Sequence, residues 1–92
     1  MIKDVTITQL KQIKDDRGSV MHMLRKDDDI FKEFGEIYFS TIYQNKIKGW
    51  HLHKESYLNY TCVSGEVKLV LYDDRASSST KNEYKEIILS PK

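Results

Sequence analysis

Short segments of β-forming residues recur along this chain at a spacing of about ten residues, with turn residues between them. Where apolar and polar side chains alternate, such segments indicate strands with one buried face. The pattern predicts strands at residues 5–13, 19–24, 36–43, 47–53, 57–64, 66–73 and 84–89. A short helix is predicted at residues 27–34, between an acidic run and Gly35. Many short strands at this spacing are typical of an all-β barrel or sandwich.

Length and charge limit the classes of function. Ninety-two residues suit a single domain, and 15 basic residues against 14 acidic ones leave a net charge of +1. The charges are interspersed, so neither nucleic acid nor a membrane surface is an expected partner. No apolar run could span a bilayer, and the first residues lack the apolar stretch of a signal peptide. A single cysteine, Cys62, excludes an internal disulfide framework, so a cytoplasmic protein is expected.

The most informative motif is the sequence KGWHLH at residues 48–53, followed by VSGEV at residues 63–67. On the predicted strand, His51 and His53 share one face, because side chains alternate with a period of two. Gly65 is placed to turn residues 57–64 into residues 66–73 as a hairpin. Such a pair of histidines is typical of a metal site, of a base beside a substrate contact, or of an ordinary exposed strand.

Four motifs resemble the sugar-nucleotide 3,5-epimerases of the cupin superfamily, the dTDP-4-dehydrorhamnose 3,5-epimerases. They are DRG at 16–18, KGWH at 48–51, SGEV at 64–67 and DDR at 73–75. The resemblance implies an all-β, cupin-type double-stranded β-barrel of the jelly-roll kind, formed by one domain over residues 1–92. These residues correspond to the N-terminal two thirds of a family-length domain. The barrel would therefore be incomplete, or the chain would be a reduced member of the family.

The resemblance also implies that His51 is the catalytic base. In the epimerases, the histidine of an Arg-Gly-x-His motif removes protons next to the substrate ketone. Imidazole suits this task because its ordinary pKa lies near neutrality. Lys48 replaces the arginine of the motif, which keeps the charge but loses the bidentate fork. His53 stands where the family usually has glutamine, and we assign it, with Lys48, to substrate binding.

Position 58 argues against a metal site. Metal-binding cupins carry a glutamate seven residues before the turn glycine, and that position here is Leu58. His22 lies on another predicted strand, which leaves two credible ligands where zinc or iron needs three or four. No metal is therefore expected. The resemblance implies no other cofactor either, because the substrate ketone itself makes the neighbouring C–H acidic. Leu58 also stands where the epimerases have a lysine that stabilises the enolate oxygen.

Three further residues are candidate substrate contacts. By resemblance, Arg17 matches an arginine that holds the diphosphate of a neighbouring subunit's ligand, and a solvated turn arginine is the alternative. Arg75 matches another family position, for which a salt bridge at a strand end is the alternative. Tyr60 shares the parity of Leu58 on its predicted strand, so it lines the pocket or belongs to the core.

The resemblance thus implies an epimerase-like isomerase that acts on a dTDP-4-keto-6-deoxy sugar for cell-surface polysaccharide. A sugar nucleotide would be its small-molecule partner, and a second copy would complete a homodimer in which residues 5–13 cross to the partner. Two alternatives stay open. A 3,4-ketoisomerase of the same superfamily is favoured by His53, since His-x-His strands occur among those enzymes. A sugar-nucleotide-binding cupin without activity is favoured by Leu58. It is also favoured because the family's acid tyrosine and orienting aspartate come from strands that follow the part of the domain matched by residues 1–92.

Overall fold

The computed structural model describes residues 1–92, which divide into two compact units. The first unit joins Met1–Met23 to Tyr60–Lys92, and the second is Leu24–Asn59. All four strands lie in the first unit: β1 (Gln12–Asp15), β2 (Gly18–Met21), β3 (Val67–Tyr72) and β4 (Tyr84–Leu89). No helix is present, and the structure therefore contains no helix that is long and apolar enough to cross a membrane. The predicted all-β, cupin-like class is confirmed, in the form of two small sheets.

The first sheet is an antiparallel hairpin of β1 and β2 around the turn Asp16–Arg17. Asp15 lies opposite Gly18. Gly18 has a φ of 150°, a backbone conformation that residues other than glycine rarely adopt. The Asp15 carboxylate accepts a hydrogen bond of 2.8 Å from the Arg17 backbone N–H and stabilises the turn. The turn follows the predicted segment 5–13, but β1 shares only Gln12 and Ile13 with that segment, and residues 5–11 form no strand. β2 begins one residue before the predicted segment 19–24 and ends three residues before its end.

The second sheet pairs β3 with β4 in antiparallel register, from Val67 opposite Leu89 to Tyr72 opposite Tyr84. Residues 73–83 connect the two strands. The predicted hairpin of residues 57–64 with 66–73 is therefore wrong, because residues 57–64 form no strand and β3 pairs with β4 instead. Alternation shows that a segment suits a strand, but it does not identify the segment with which that strand pairs.

The second unit, Leu24–Asn59, contains turns but neither strand nor helix. The strands predicted at residues 36–43 and 47–53 are absent, since a strand obtains its backbone hydrogen bonds only from a paired segment. The helix predicted at residues 27–34 is replaced by two successive turns around Asp28. Its N–H donates to the Arg25 carbonyl and its carbonyl accepts from the Phe31 N–H, both at 3.0 Å. The Asp28 carboxylate also accepts from the Arg25 N–H at 2.7 Å, and such local bonds compete with a helix.

Few apolar side chains are buried. Ile2 is the one buried hydrophobic residue, whereas Phe39 and Ile47 in the second unit are 87% and 95% exposed. Trp50 and Tyr57 are also largely exposed. Large exposed apolar side chains in this number mark surfaces that other protein segments commonly cover.

Candidate functional site

The histidine pair lies in the second unit. His51 and His53 are exposed and belong to an irregular segment, not to the strand predicted at residues 47–53. Side chains two positions apart share one face on a strand, and no strand is present here, so the prediction that both imidazoles share one face is not supported. The roles assigned to His51 and His53 stay predictions.

Lys48 is held in place within the same unit. Its Nζ donates a hydrogen bond of 2.8 Å to Ser40 Oγ and another of 2.7 Å to the Thr41 carbonyl oxygen. An ammonium group has three N–H donors, so one donor remains for a ligand. The structure thus fixes a positive charge on the residue that precedes His51 by three positions.

Arg17 lies at the tip of the first hairpin, in the first unit. Its Nη2 is 2.8 Å from Asp15 Oδ2, and both side chains are at least half exposed. The Arg17 guanidinium is the largest cause that lowers the pKa of Asp15, followed by the Arg17 backbone N–H. An exposed ion pair of this kind contributes little to stability. Arg17 can therefore exchange the Asp15 carboxylate for an anionic ligand at small cost.

Asp73 is the centre of the most connected polar cluster in the first unit, and it is only 3% exposed. Its carboxylate accepts hydrogen bonds from Nε and Nη2 of Arg75, each at 2.9 Å. The hydroxyl groups of Ser78 and Thr80 donate to the same carboxylate at 2.6 Å. These bonds, with Arg75 as the largest contribution, hold the pKa of Asp73 far below its ordinary value.

Arg75 extends this cluster to the N-terminus. Its Nη1 pairs with the Asp4 carboxylate at 2.9 Å, and its Nη2 donates to the Lys3 carbonyl at 2.8 Å. The carboxylate of Asp73, and then that of Asp4, raises the pKa of Arg75. Arg75 thus makes the salt bridge that was the alternative interpretation of this residue. Its assignment to substrate binding stays a prediction.

Tyr60 lies at a cleft in the first unit. The cleft has a volume of about 210 Å³ and is lined by residues from four stretches of the unit, 7–12, 21–23, 60–63 and 87–92. Tyr60 is 56% exposed, while His22 and Cys62 are half-buried beside the same space. The Cys62 thiol donates to the Ser64 carbonyl oxygen at 3.2 Å. A substrate contact by Tyr60 stays a prediction.

The candidate residues belong to both units. His51, His53 and Lys48 lie in Leu24–Asn59, and Arg17, Tyr60 and Arg75 lie in the other unit. Within neither unit do three histidine, cysteine or carboxylate side chains come close enough to hold a metal ion. Sequence reasoning missed the buried cluster around Asp73, since no motif pointed to Ser78 or Thr80. An aspartate at a strand end, followed by a serine- and threonine-rich loop, was the available signal.

Comparison with known proteins found one family model and two curated relatives that match most of the chain. The model of the FdtA family, described as WxcM-like, C-terminal, matches residues 3–90. The spore coat polysaccharide biosynthesis protein SpsL of Bacillus subtilis is 34% identical over 83 residues, which cover 90% of this chain and 55% of SpsL. The probable low-salt glycan biosynthesis epimerase Agl13 of Haloferax volcanii is 32% identical over 84 residues, covering 89% of this chain and 54% of Agl13. No solved structure matches significantly.

The chain spans about half the length of these curated relatives. The coarser part of the resemblance is confirmed, since the chain is similar to epimerase-like proteins of sugar biosynthesis. The narrower resemblance to dTDP-4-dehydrorhamnose 3,5-epimerases is not confirmed.

Proposed function

The chain belongs to the FdtA family of WxcM-like, C-terminal domains, and from that membership we propose that it acts on a nucleotide-linked keto sugar in polysaccharide or glycan synthesis. One observation carries the proposal. Both relatives are named for such pathways, one for spore coat polysaccharide and one as a probable glycan epimerase, and each matches about nine-tenths of this chain.

The proposed reaction is the epimerisation of a dTDP-4-keto-6-deoxy sugar. His51 removes a proton from the carbon next to the C4 ketone, which leaves an enolate. Reprotonation on the opposite face of the ring inverts the configuration of that carbon. The ketone itself makes the neighbouring C–H acidic, so the proposed step requires no cofactor. Lys48 provides a positive charge three positions before the base in the sequence. Arg17 is the proposed contact to the diphosphate of the ligand that a second copy of the chain holds.

A 3,4-ketoisomerase reaction is the second candidate. The observation that favours it is His53, which stands where the epimerases usually have a glutamine. With His51 it forms a His-x-His pair, as found among the ketoisomerases. In that reaction the proton leaves C3 and returns to C4, so the carbonyl group moves to C3. A binding function without turnover is the third possibility, and Leu58, which lacks the lysine ammonium of the epimerases, favours it.

Incubation with dTDP-4-keto-6-deoxyglucose in deuterated water separates these functions. We expect NMR to show deuterium at C3 or C5 with the carbonyl still at C4. Deuterium at C4 with a carbonyl at C3 would identify the ketoisomerase. Binding of the sugar nucleotide without any exchange would overturn the enzymatic proposal and leave the binding function.

Arg17→Ala should weaken dTDP binding about three- to tenfold, because it removes a charged hydrogen-bond donor from the diphosphate. Calorimetry with dTDP measures the affinity, and circular dichroism checks the fold. Arg25→Ala is the matched control, since Arg25 is also an exposed arginine paired with an aspartate, at 3.3 Å from Asp27. Equal affinities of Arg17→Ala and the parent protein would reject this contact.

We also propose a two-fold homodimer in which residues 5–13 pair with the second chain. Each of the two sheets has only two strands, so the outer edges offer unpaired backbone groups to another segment. Ile7 is 52% exposed in the proposed crossing segment. Trp50 and Tyr57, in the other unit, are exposed interface candidates in their own right.

Sedimentation equilibrium at micromolar concentration should therefore give a dimer. Ile7→Lys should shift this equilibrium towards monomer, because it places a charge in the proposed interface. Lys11→Ala in the same segment is the control and should leave the dimer intact. A clean monomer of the parent protein would defeat the prediction, as would a dimer that survives deletion of residues 1–13 unchanged.

A further inference from the structure

We propose that Ser40 is a positioning residue, which holds the Lys48 ammonium so that its remaining N–H binds an oxyanion of the substrate. The inference rests on the proposed function and deepens it, since no sequence motif pointed to Ser40. Its basis is the pair of hydrogen bonds from Lys48 Nζ, 2.8 Å to Ser40 Oγ and 2.7 Å to the Thr41 carbonyl oxygen. Both bonds lie within one unit of the structure.

The partners of Lys48 differ from those of the other paired cations. Five of them form salt bridges with carboxylates, namely Arg17, Arg25, Lys68, Arg75 and Lys81. The ammonium group of Lys32 lies over the Tyr57 ring, 5.5 Å from its centroid. Lys48 instead contacts two neutral oxygens, a hydroxyl and a backbone carbonyl. Its charge is therefore oriented without being neutralised, which is the arrangement that an anionic ligand requires.

A lysine needs this support more than an arginine does. The guanidinium group presents donors in a rigid planar fork, whereas the ammonium group is a point charge on a flexible four-carbon stem. Lys48 occupies the arginine position of the motif, so its direction must come from neighbouring groups. Two acceptors take two of its three N–H donors and restrict the third.

The ligand is an oxyanion, and two oxyanions of the proposed substrate fit. One is the enolate oxygen formed at C4, for which Lys48 would replace the lysine that is missing at Leu58. The other is the diphosphate. If removal of the Ser40 hydroxyl lowers kcat alone, Lys48 contacts the enolate, because that charge exists only during the reaction. If the same change weakens dTDP binding as much as it lowers kcat/KM, Lys48 contacts the diphosphate.

The test is a double-mutant cycle of Ser40→Ala and Lys48→Gln, with kcat and KM for dTDP-4-keto-6-deoxyglucose and the Kd of dTDP as readouts. We expect Ser40→Ala to lower kcat/KM about three- to tenfold, which is the effect of losing one ordinary, solvent-exposed hydrogen bond. Ser40→Thr keeps the hydroxyl group and should restore the parent value. In the Lys48→Gln background, Ser40→Ala should have no further effect.

Ser56→Ala is the matched control, since Ser56 is an exposed serine of the same unit with no side-chain hydrogen bond. The inference is overturned if Ser40→Ala behaves like Ser56→Ala, or if its effect simply adds to that of Lys48→Gln. Those results in an active parent protein reject the role of Ser40 alone. A parent protein that neither exchanges deuterium nor binds dTDP rejects the proposed function together with the inference.

Discussion

His51→Ala should slow deuterium exchange into dTDP-4-keto-6-deoxyglucose by about 10²–10⁴-fold, because a positioned general base contributes about that much to proton removal. Exchange is the appropriate measurement, since it reports the first proton transfer even when the product forms slowly. Calorimetric binding of dTDP should be nearly unchanged, because the imidazole acts on the sugar ring and not on the nucleotide. Retention of binding would also show that the variant is folded.

His53→Gln is the control variant for the exchange measurement on His51→Ala. Glutamine is the residue that the epimerases usually place there, so the variant should lose far less exchange activity than His51→Ala. Equal losses from the two changes would instead indicate a metal held by both imidazoles. Elemental analysis would then find near one transition-metal ion per chain, and the proposed mechanism would be rejected.

The elements that sequence predicted well are those whose signal is local. The turn at Asp16–Arg17 depends on the Asp15 carboxylate and on the backbone freedom of Gly18, and both features can be read from adjacent residues. Strand β4 has the predicted bounds, and β3 differs from its predicted segment by one residue at each end. A run of β-branched and apolar residues defines both strands.

Pairing was predicted less well, because it joins residues that are distant in sequence. Gly65 suggested a hairpin with residues 57–64, but β3 bonds to β4 across the loop of residues 73–83. In Leu24–Asn59, alternating side chains suggested strands, yet the unit supplies no paired segment for them. Alternation measures how well a segment would fit a sheet, whereas hydrogen bonds to a second segment decide whether it becomes a strand.

The same distinction applies to the candidate site. Sequence identified His51, His53 and Lys48 by their motif, but the hydrogen bond from Lys48 to Ser40 connects residues eight positions apart and had no sequence signal. The contact between Arg75 and Asp4 spans 71 positions, so it could not be predicted from either residue alone. Motifs thus indicated candidate residues, and the structure shows the groups that contact Lys48 and Arg75.

The second large effect is expected at Asp73. Asp73→Asn should lower the midpoint of thermal unfolding by about 4–8 °C or more, which is the shift expected in a domain of this size when a buried polar group loses a partner. The amide cannot match a carboxylate that accepts from Arg75, Ser78 and Thr80 together. Asp74→Asn is the matched control, since Asp74 is its exposed neighbour and lies 3.9 Å from Lys81. This variant should unfold within about 1–2 °C of the parent protein.

Acid titration provides an independent test of the same carboxylate. The Arg75 guanidinium and the two hydroxyl groups lower the pKa of Asp73 in the folded protein, so its ionised form stabilises the fold above the ordinary aspartate pKa of about 3.9. This contribution is lost as the pH falls below about 4, because protonation is easier in the unfolded chain. The unfolding midpoint of the parent protein should therefore decrease steeply between about pH 4 and pH 2, and that of Asp73→Asn should decrease less. Thermal unfolding followed by circular dichroism measures both slopes. Equal slopes for Asp73→Asn and Asp74→Asn would contradict the assignment, since only Asp73 carries the strongly lowered pKa.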